Sequence, residues 1–376
     1  MITPKPLIPF STAAGSVPDY LLGRDSAINA IRTGLENPAA DEAGNLLFVG
    51  LRGIGKTVML TEAGRLAREQ GWLVVDSYLT ESGLLERIHR RLNTIAAPDK
   101  SHRNLEISIL GVRANIGSDK ETPDLNIVDR LEAVLERTGI PGVLITVDEV
   151  HSTASNAQAE LREYGNEIQL AHRRKLPIMS AMAGLPGGIR ALLKDEDANR
   201  KRTGATFLRR AAKEELGAIS DEDIWNAYSE AATISGKLIS ADVLDILTDA
   251  AKGYPYLFQL IGQRVWRESG KVVTNDAAQI GIRSAIRRLR SALLDTAFAD
   301  LSDIDKSFLL AMTQDNSASR TGDIAKRLNI SIQQASNYKK RLAEAEIITD
   351  GHGYTDFTMP YMREHLREYY ASTIRS

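Results

Sequence analysis

The chain has 376 residues, enough for two or three domains, and its 43% hydrophobic and 26% charged content is that of an ordinary globular protein. A net charge of −2 leaves nucleic-acid binding to a local basic face, and the absence of cysteine excludes disulfides and cysteine-held zinc. No apolar run approaches the ~20 residues of a membrane span, and Met1–Pro6 lacks a signal peptide's apolar core, so a cytoplasmic protein with no membrane partner is expected.

Residues 1–17, rich in proline, serine and glycine, read as an extended lead-in. After Pro18 to Asp25 comes an amphipathic helix (Ala27, Ile28, Ile31, Leu35), with Asp25 or Ser26 near its start. Leu46 to Val49 is a short apolar run that reads as a buried strand. Gly50-Leu51-Arg52-Gly53-Ile54-Gly55-Lys56-Thr57 follows and fits G-x-x-x-x-G-K-[ST], the phosphate-binding loop. Each residue type has a reason. The glycines Gly50, Gly53 and Gly55 let backbone N–H groups, that of Ile54 among them, curl around phosphate oxygens with no Cβ in the way. Lys56 brings a mobile charge to the β- and γ-phosphates, and the Thr57 hydroxyl is a hard ligand for Mg²⁺. Helical spacing from Thr57 and Val58 onward aims a helix N-terminus at the anion.

Trp72 to Asp76 reads as a second strand, Leu84 to Ile95 as a helix, Leu105 to Ile116 as a β-hairpin insertion and Ile127 to Leu135 as a helix. Gly142 to Glu149 is an apolar strand ending in two acids. That places Asp148 and Glu149 at the carboxyl edge of a parallel sheet, Asp148 to hold Mg²⁺ through water and Glu149 to act as general base. Leu176 to Gly184 and Lys213 to Ile219 are the remaining strands. Strands alternating with helices imply an α/β fold, a P-loop NTPase parallel sheet, over residues 1–219.

Ser220-Asp221-Glu222-Asp223 opens a helical unit, residues 220–298, interrupted at Ser235-Gly236-Lys237 and Gly253-Tyr254-Pro255. Its last helix carries Arg283, Arg287, Arg288 and Arg290, a face open to solvent or to DNA. Residues 299–376 read as helix, turn, helix and a hairpin around Asp350-Gly351-His352-Gly353, the winged helix-turn-helix order. In its second motif helix Gln333, Gln334 and Asn337 face base edges, and Lys339, Lys340 and Arg341 face phosphates, if duplex DNA is the partner. The six histidines show no metal-ligand spacing, and His151 stands close after Glu149.

On these motifs the chain resembles AAA+ ATPases of the origin-recognition/initiator type and the related archaeal-ATPase and STAND groups, from Pro18 to the end of the winged helix. The resemblance implies ATP and Mg²⁺ as ligands, a sheet followed by a helical lid, and self-association through bound nucleotide. Leu22-Gly23-Arg24-Asp25 looks like the family's Leu-x-Gly-Arg-Glu element, whose surroundings line the adenine pocket. Arg210, or Arg209 beside it, stands where the family has its arginine finger. Gly253-Tyr254-Pro255 is similar to the Gly-x-Pro element that replaces the sensor-2 arginine in the archaeal-ATPase and STAND branch, which puts Pro255 at the nucleotide. One departure is Ala183, where relatives often have a polar γ-phosphate sensor; sensing then falls to Ser180 or is weak. The resemblance implies a slow, DNA-binding ATPase that acts as an assembly switch, an initiator or a helper of another DNA-acting enzyme. A STAND-like switch with a protein partner is the alternative.

Overall fold

The computed structural model describes residues 8–13, 15–79, 83–96, 108–109, 112–113, 126–150, 155–194, 206–299 and 301–370. The first part of the chain runs α1 (Asp25–Glu36), β1 (Asn45–Val49), α2 (Lys56–Glu69), β2 (Leu73–Tyr78), α3 (Leu84–Ala96), β3 (Ser108–Ile109) and β4 (Val112–Arg113). It continues through α4 (Ile127–Thr138), β5 (Val143–Asp148), α5 (Ser155–Arg173), β6 (Ile178–Gly184), α6 (Pro186–Lys194) and β7 (Ala212–Glu215). Five of these strands form one parallel sheet in the order β2-β5-β6-β1-β7.

Alternation along the strands divides the core. Leu46, Phe48, Leu144, Met179 and Ala181 point to the side covered by α1 and α2. Leu47, Val49, Val143, Ile145 and Met182 point to the side covered by α3, α4 and α5. Because both faces are covered, the central strands are mostly apolar, as parallel strands are, and the polar side chains buried in them, Thr146 and Ser180, are hydrogen-bonded. Within the expected hairpin insertion, β3 and β4 pair antiparallel through Ser108–Arg113 and Ile109–Val112; the rest of residues 105–116 lies outside the described residues, as do His102 and His151.

The second part runs α7 (Asp221–Ser235), β8 (Leu238–Ile239), α8 (Ala241–Ala251), α9 (Pro255–Glu268), β9 (Val272–Val273) and α10 (Asn275–Leu289). After a π-helical turn at Arg290–Leu294 come α11 (Asp295–Ala299), α12 (Asp303–Met312), β10 (Ser319–Arg320), α13 (Thr321–Arg327), α14 (Ile332–Glu344), β11 (Tyr354–Thr355) and α15 (Met362–Tyr369). Ser220 caps α7 by accepting from the Asp223 N–H, as its sequence requires. The turn 350–353 joins Ile348–Phe357, an antiparallel bridge, and β11 also pairs with β10.

One expectation changes, for the start of α1, and the lead-in gains a contact that its sequence does not show. No side chain caps α1: Arg24 occupies the cap position, and its guanidinium works elsewhere. The lead-in has no helix or strand over residues 8–13, as expected of an extended segment, but it is anchored. Phe10 is buried among Tyr20, Tyr228, Phe258 and Trp266, and a Cβ on Gly262 of α9 would stand 2.6 Å from its ring. The Ser11 N–H donates to Gln259 on the same helix. One aromatic residue in a polar segment is enough to anchor it, because the acceptor pocket is built from a helix over two hundred residues away.

Candidate functional site

β1 delivers the chain to the carboxyl edge of the sheet, and the eight residues 50–57 turn it back into α2. Gly53 (φ 70°) and Gly55 (φ 101°) adopt left-handed conformations open to glycine, and Gly55 is the residue from which α2 starts. Gly53 has a second reason to be glycine. A Cβ there would stand 2.1 Å from the Tyr254 hydroxyl, which donates to the Arg52 carbonyl across the loop. Ile54 buries its side chain in the core, so its share in the loop is its backbone, and Val58 is half-buried in the first turn of α2.

Lys56 Nζ donates to the carbonyls of Gly50 (2.9 Å) and Leu51 (2.8 Å). Burial pushes its pKa down to about 8, against the opposing pull of Asp148. Among the described residues the lysine is thus a cation with carbonyl dipoles but no carboxylate in contact. Thr57 Oγ1 donates to Asp148 Oδ2 at 2.6 Å, bridging from α2 to the end of β5. A hydroxyl and a carboxylate brought together beside a loop of amides are the hard oxygen donors that Mg²⁺ takes alongside phosphate and water, so the residues fit that ion. Glu149 is exposed and turns away from the strand at φ 59°, with its N–H on Asp148 Oδ1 at 2.7 Å. The loop, Thr57 and Asp148 are therefore brought together, with Glu149 adjoining them.

Other expected residues have different surroundings. Arg24 is only 5% exposed; it donates to the Gly23, Ile54 and Gly217 carbonyls, each at 3.0 Å. It braces the phosphate loop against the exit of β7, and Leu22, Gly23 and Arg24 do not line the adjoining cavity. That cavity, about 370 Å³, is bounded by Leu51, Ile54, Gly217, Tyr254, Phe357 and Tyr361 among others. Pro255 is the first residue of α9 and is likewise not among the lining residues; Lys252 to Tyr254 are.

Ser180 cannot sense a γ-phosphate. It pairs in register with Asn45, the first residue of β1, and is fully buried with its hydroxyl on Tyr164 at 2.6 Å. It lies four positions before Gly184 at the carboxyl edge, roughly 13 Å of strand. The two finger candidates also part company. Arg209 donates to the Leu193 carbonyl, whereas Arg210 is exposed and has no hydrogen-bond or ion-pair partner among the described residues.

On α14 the expected phosphate contacts need correcting. Lys339 is 8% exposed, donates to the Gly351 carbonyl at 2.6 Å and pairs with Asp350 at 2.9 Å, so it holds the hairpin turn. Arg341 forks onto buried Asp305 of α12 at 2.6 Å. Gln334 completes a capping box with Ser331. Gln333, Gln334, Asn337, Lys340 and Arg341 are exposed, and Lys339 alone of the six is buried. Arg290 leaves the arginine face of α10 to pair with Glu368, while Arg283, Arg287 and Arg288 remain exposed.

Two residues at the site escaped the sequence. Tyr254 was hidden as the variable middle of Gly253-Tyr254-Pro255. Glu346, 8% exposed, accepts from the Gly187 N–H of α6 at 2.6 Å and lies within electrostatic reach of Lys56. Its only trace in the sequence is that no glycine follows α14.

Comparison with known proteins agrees with this geometry. Residues 20–176 match the family model described as an AAA ATPase domain, and residues 291–366 match one described as a domain of unknown function. No curated protein matches the chain significantly. Among solved structures, a Walker-type ATPase of Pyrococcus abyssi is 13% identical with a TM-score of 0.63, over 92% of this chain and 96% of that one. Cdc6p from Pyrobaculum aerophilum (16% identical, 97% of each chain, TM-score 0.49) is also similar. So is the RuvB Holliday junction branch migration motor of Thermotoga maritima (12%, 93% of this chain and 98% of that one, TM-score 0.45). The parallel five-stranded sheet with its helices has the P-loop AAA+ ATPase fold. Among the described residues no helix is long and apolar enough to cross a membrane.

Proposed function

We propose that the protein is an ATP-dependent conformational switch, binding and slowly hydrolysing ATP, that acts on double-stranded DNA as an initiator or as a helper of another DNA-acting enzyme. The observation that carries this reading is the Thr57–Asp148 contact beside Lys56 and the glycine loop. Lys56 and the loop amides would take the phosphates, and Thr57 with Asp148 would hold Mg²⁺. Bound Mg²⁺ would supply charge neutralisation at the phosphates. Glu149 would orient the attacking water and accept its proton. Arg210, exposed and without a partner among the described residues, suits a finger inserted into a neighbouring copy's site, a contribution worth about 10³–10⁵ in rate in other NTPases. Turnover would then depend on assembly.

Three working units follow: residues 1–219 for the nucleotide, 220–298 as lid, and 299–376 as a winged helix. DNA would meet Gln333, Asn337 and Lys340 of the third unit. The experiment is to measure hydrolysis rate and particle mass with and without duplex DNA, at fixed protein concentration, across a range of salt. Assembly and rate rising together, with DNA binding that weakens steeply as salt increases, is the expected result. Hydrolysis absent in every assembly state would sink the ATPase reading.

A second reading has its own support. Phe357, Met359 and Tyr361 of the third unit line the cavity beside the loop, and Tyr361 donates to the Ala250 carbonyl of α8. A C-terminal unit seated there suits a STAND-like switch whose cover lifts to expose a surface for a protein partner. Hydrolysis insensitive to DNA, with no duplex binding at any salt, would favour it.

A further inference from the structure

Glu346 occupies the position just past the end of α14 where a helix most often ends in glycine. Its φ is 60°, its N–H bonds the Ala343 carbonyl, and the Ile347 N–H bonds the Leu342 carbonyl. A side chain in that left-handed conformation is disfavoured, yet the position carries a large acid. Its carboxylate is directed away from solvent to the N-terminus of α6, where Oε1 accepts from Gly187, with Arg190 at 3.5 Å. The approach is close enough that a Cβ on Gly187 would stand 2.0 Å from the Glu344 carbonyl. Gly187 is three residues past Gly184, which pairs with Val49, the residue before the phosphate loop. An acid from the third unit therefore stands at the phosphate end of the site, on the same edge as Lys56, Asp148 and Glu149. Phe357 and Tyr361 close the neighbouring cavity.

We propose that Glu346 determines which nucleotide the closed protein accepts: a diphosphate fits beside its carboxylate, whereas the γ-phosphate of a triphosphate is repelled by it and displaces the third unit. This rests on the nucleotide-site reading above and adds to it the group that discriminates. Among the described residues Lys56 has no carboxylate in contact, and Glu346, after Asp148, supplies part of the negative charge felt by it. A triphosphate carries one more negative charge than a diphosphate, brought to the end of the site where Glu346 lies within electrostatic reach of Lys56, and beside protein like charges repel more than in bulk water. Burial also raises the Glu346 pKa, against the Gly187 N–H, Arg190 and Lys56, so the docked carboxylate is already the costlier form.

The test measures affinity for ADP and for a non-hydrolysable ATP analogue, together with the radius of gyration from small-angle scattering, in the full chain. Wild type should prefer ADP by about tenfold or more, the size of one partly screened charge contact, and should expand with the analogue. Glu346→Gln keeps the acceptor for Gly187 but not the charge. It should bring the two affinities together and stay compact with either nucleotide. Glu346→Gly, which suits φ 60°, should also lose the preference, and it guards against a folding defect in the first variant. An ADP/ATP ratio unchanged in both variants overturns the inference while leaving the nucleotide site standing. Failure of wild type to bind either nucleotide removes both.

Discussion

Two lysines of this chain sit in nearly the same local setting and differ in what lies beyond it. Lys56 and Lys339 are both drawn in from solvent, and both donate to backbone carbonyls of a glycine turn: Gly50 and Leu51 in one case, Gly351 in the other. Lys339 also has Asp350 at 2.9 Å, so its charge is answered inside the protein and it serves as a strut. Among the described residues Lys56 has only carbonyl dipoles in contact. Its charge is under-compensated, which is why burial lowers its pKa and why an arriving phosphate has something to gain. A basic residue is available to a ligand when the fold leaves its charge unanswered, and that is a property of the surroundings rather than of the residue.

The largest effect that would test this contrast lies beside Lys56. Glu149→Gln removes the proposed base and leaves the loop, Thr57 and Asp148 intact. Hydrolysis should fall roughly 10²–10⁴-fold, the usual worth of general-base catalysis, with nucleotide affinity unchanged within a few-fold. Single-turnover rates alongside equilibrium binding would check it. A matching loss of affinity would mean that Glu149 positions the nucleotide instead.

The second prediction moves to α14. Arg341→Ala leaves buried Asp305 with only Ser302 as a side-chain partner, which should cost about 1–3 kcal/mol of stability. The slope of log affinity against log salt for duplex DNA should stay as in wild type, since Arg341 already has its partner. Lys340→Ala should do the reverse, with stability unaltered and the slope reduced by about 1. Denaturant midpoints and salt titrations separate the two outcomes. A reduced slope for Arg341→Ala would show that its pairing with Asp305 gives way to DNA.

Much of the fold and the loop was legible in the sequence for a physical reason. A phosphate cradle is made of backbone amides, so its requirements fall on glycine positions and on one lysine and one threonine at fixed spacing. The buried strands announce themselves by apolar runs, and β5 ends on Asp148 where its run ends. What could not be read depends on contacts between residues far apart in the chain. Arg24 donates to Gly217, Phe10 packs on α9, and Glu346 reaches Gly187, and no local pattern marks any of these pairs. Ser180 was misassigned because strand register, not composition, decides which end of the sheet a residue occupies. Lys339 is buried and held by Asp350, which looks in sequence like an ordinary turn residue, whereas Arg341 keeps an exposed side chain while pairing with Asp305.

The smallest predicted effect returns to Lys56 and concerns protons. With a nucleotide-free pKa of about 8, the lysine is partly neutral in mildly alkaline solution. Phosphates in contact favour its charged form, so binding must raise that pKa, and a site whose pKa rises on binding takes up a proton. Affinity for nucleotide should therefore be flat below pH 7, begin to fall near pH 8, and decline by up to about tenfold per pH unit until the bound-state pKa is passed. At pH 8 each binding event should take up about half a proton, visible as a buffer-dependent heat in calorimetry. Stability of the nucleotide-free protein runs the other way. Because the folded pKa lies below the ordinary lysine value of 10.5, the unfolded chain holds more protons between about pH 8 and 10.5, and folding is favoured as pH rises through that range. Opposite slopes for binding and for stability are what a single buried, uncompensated ammonium produces. If both were flat across pH 7–10, the charge of Lys56 would be answered within the protein as that of Lys339 is, and the difference between the two lysines would vanish.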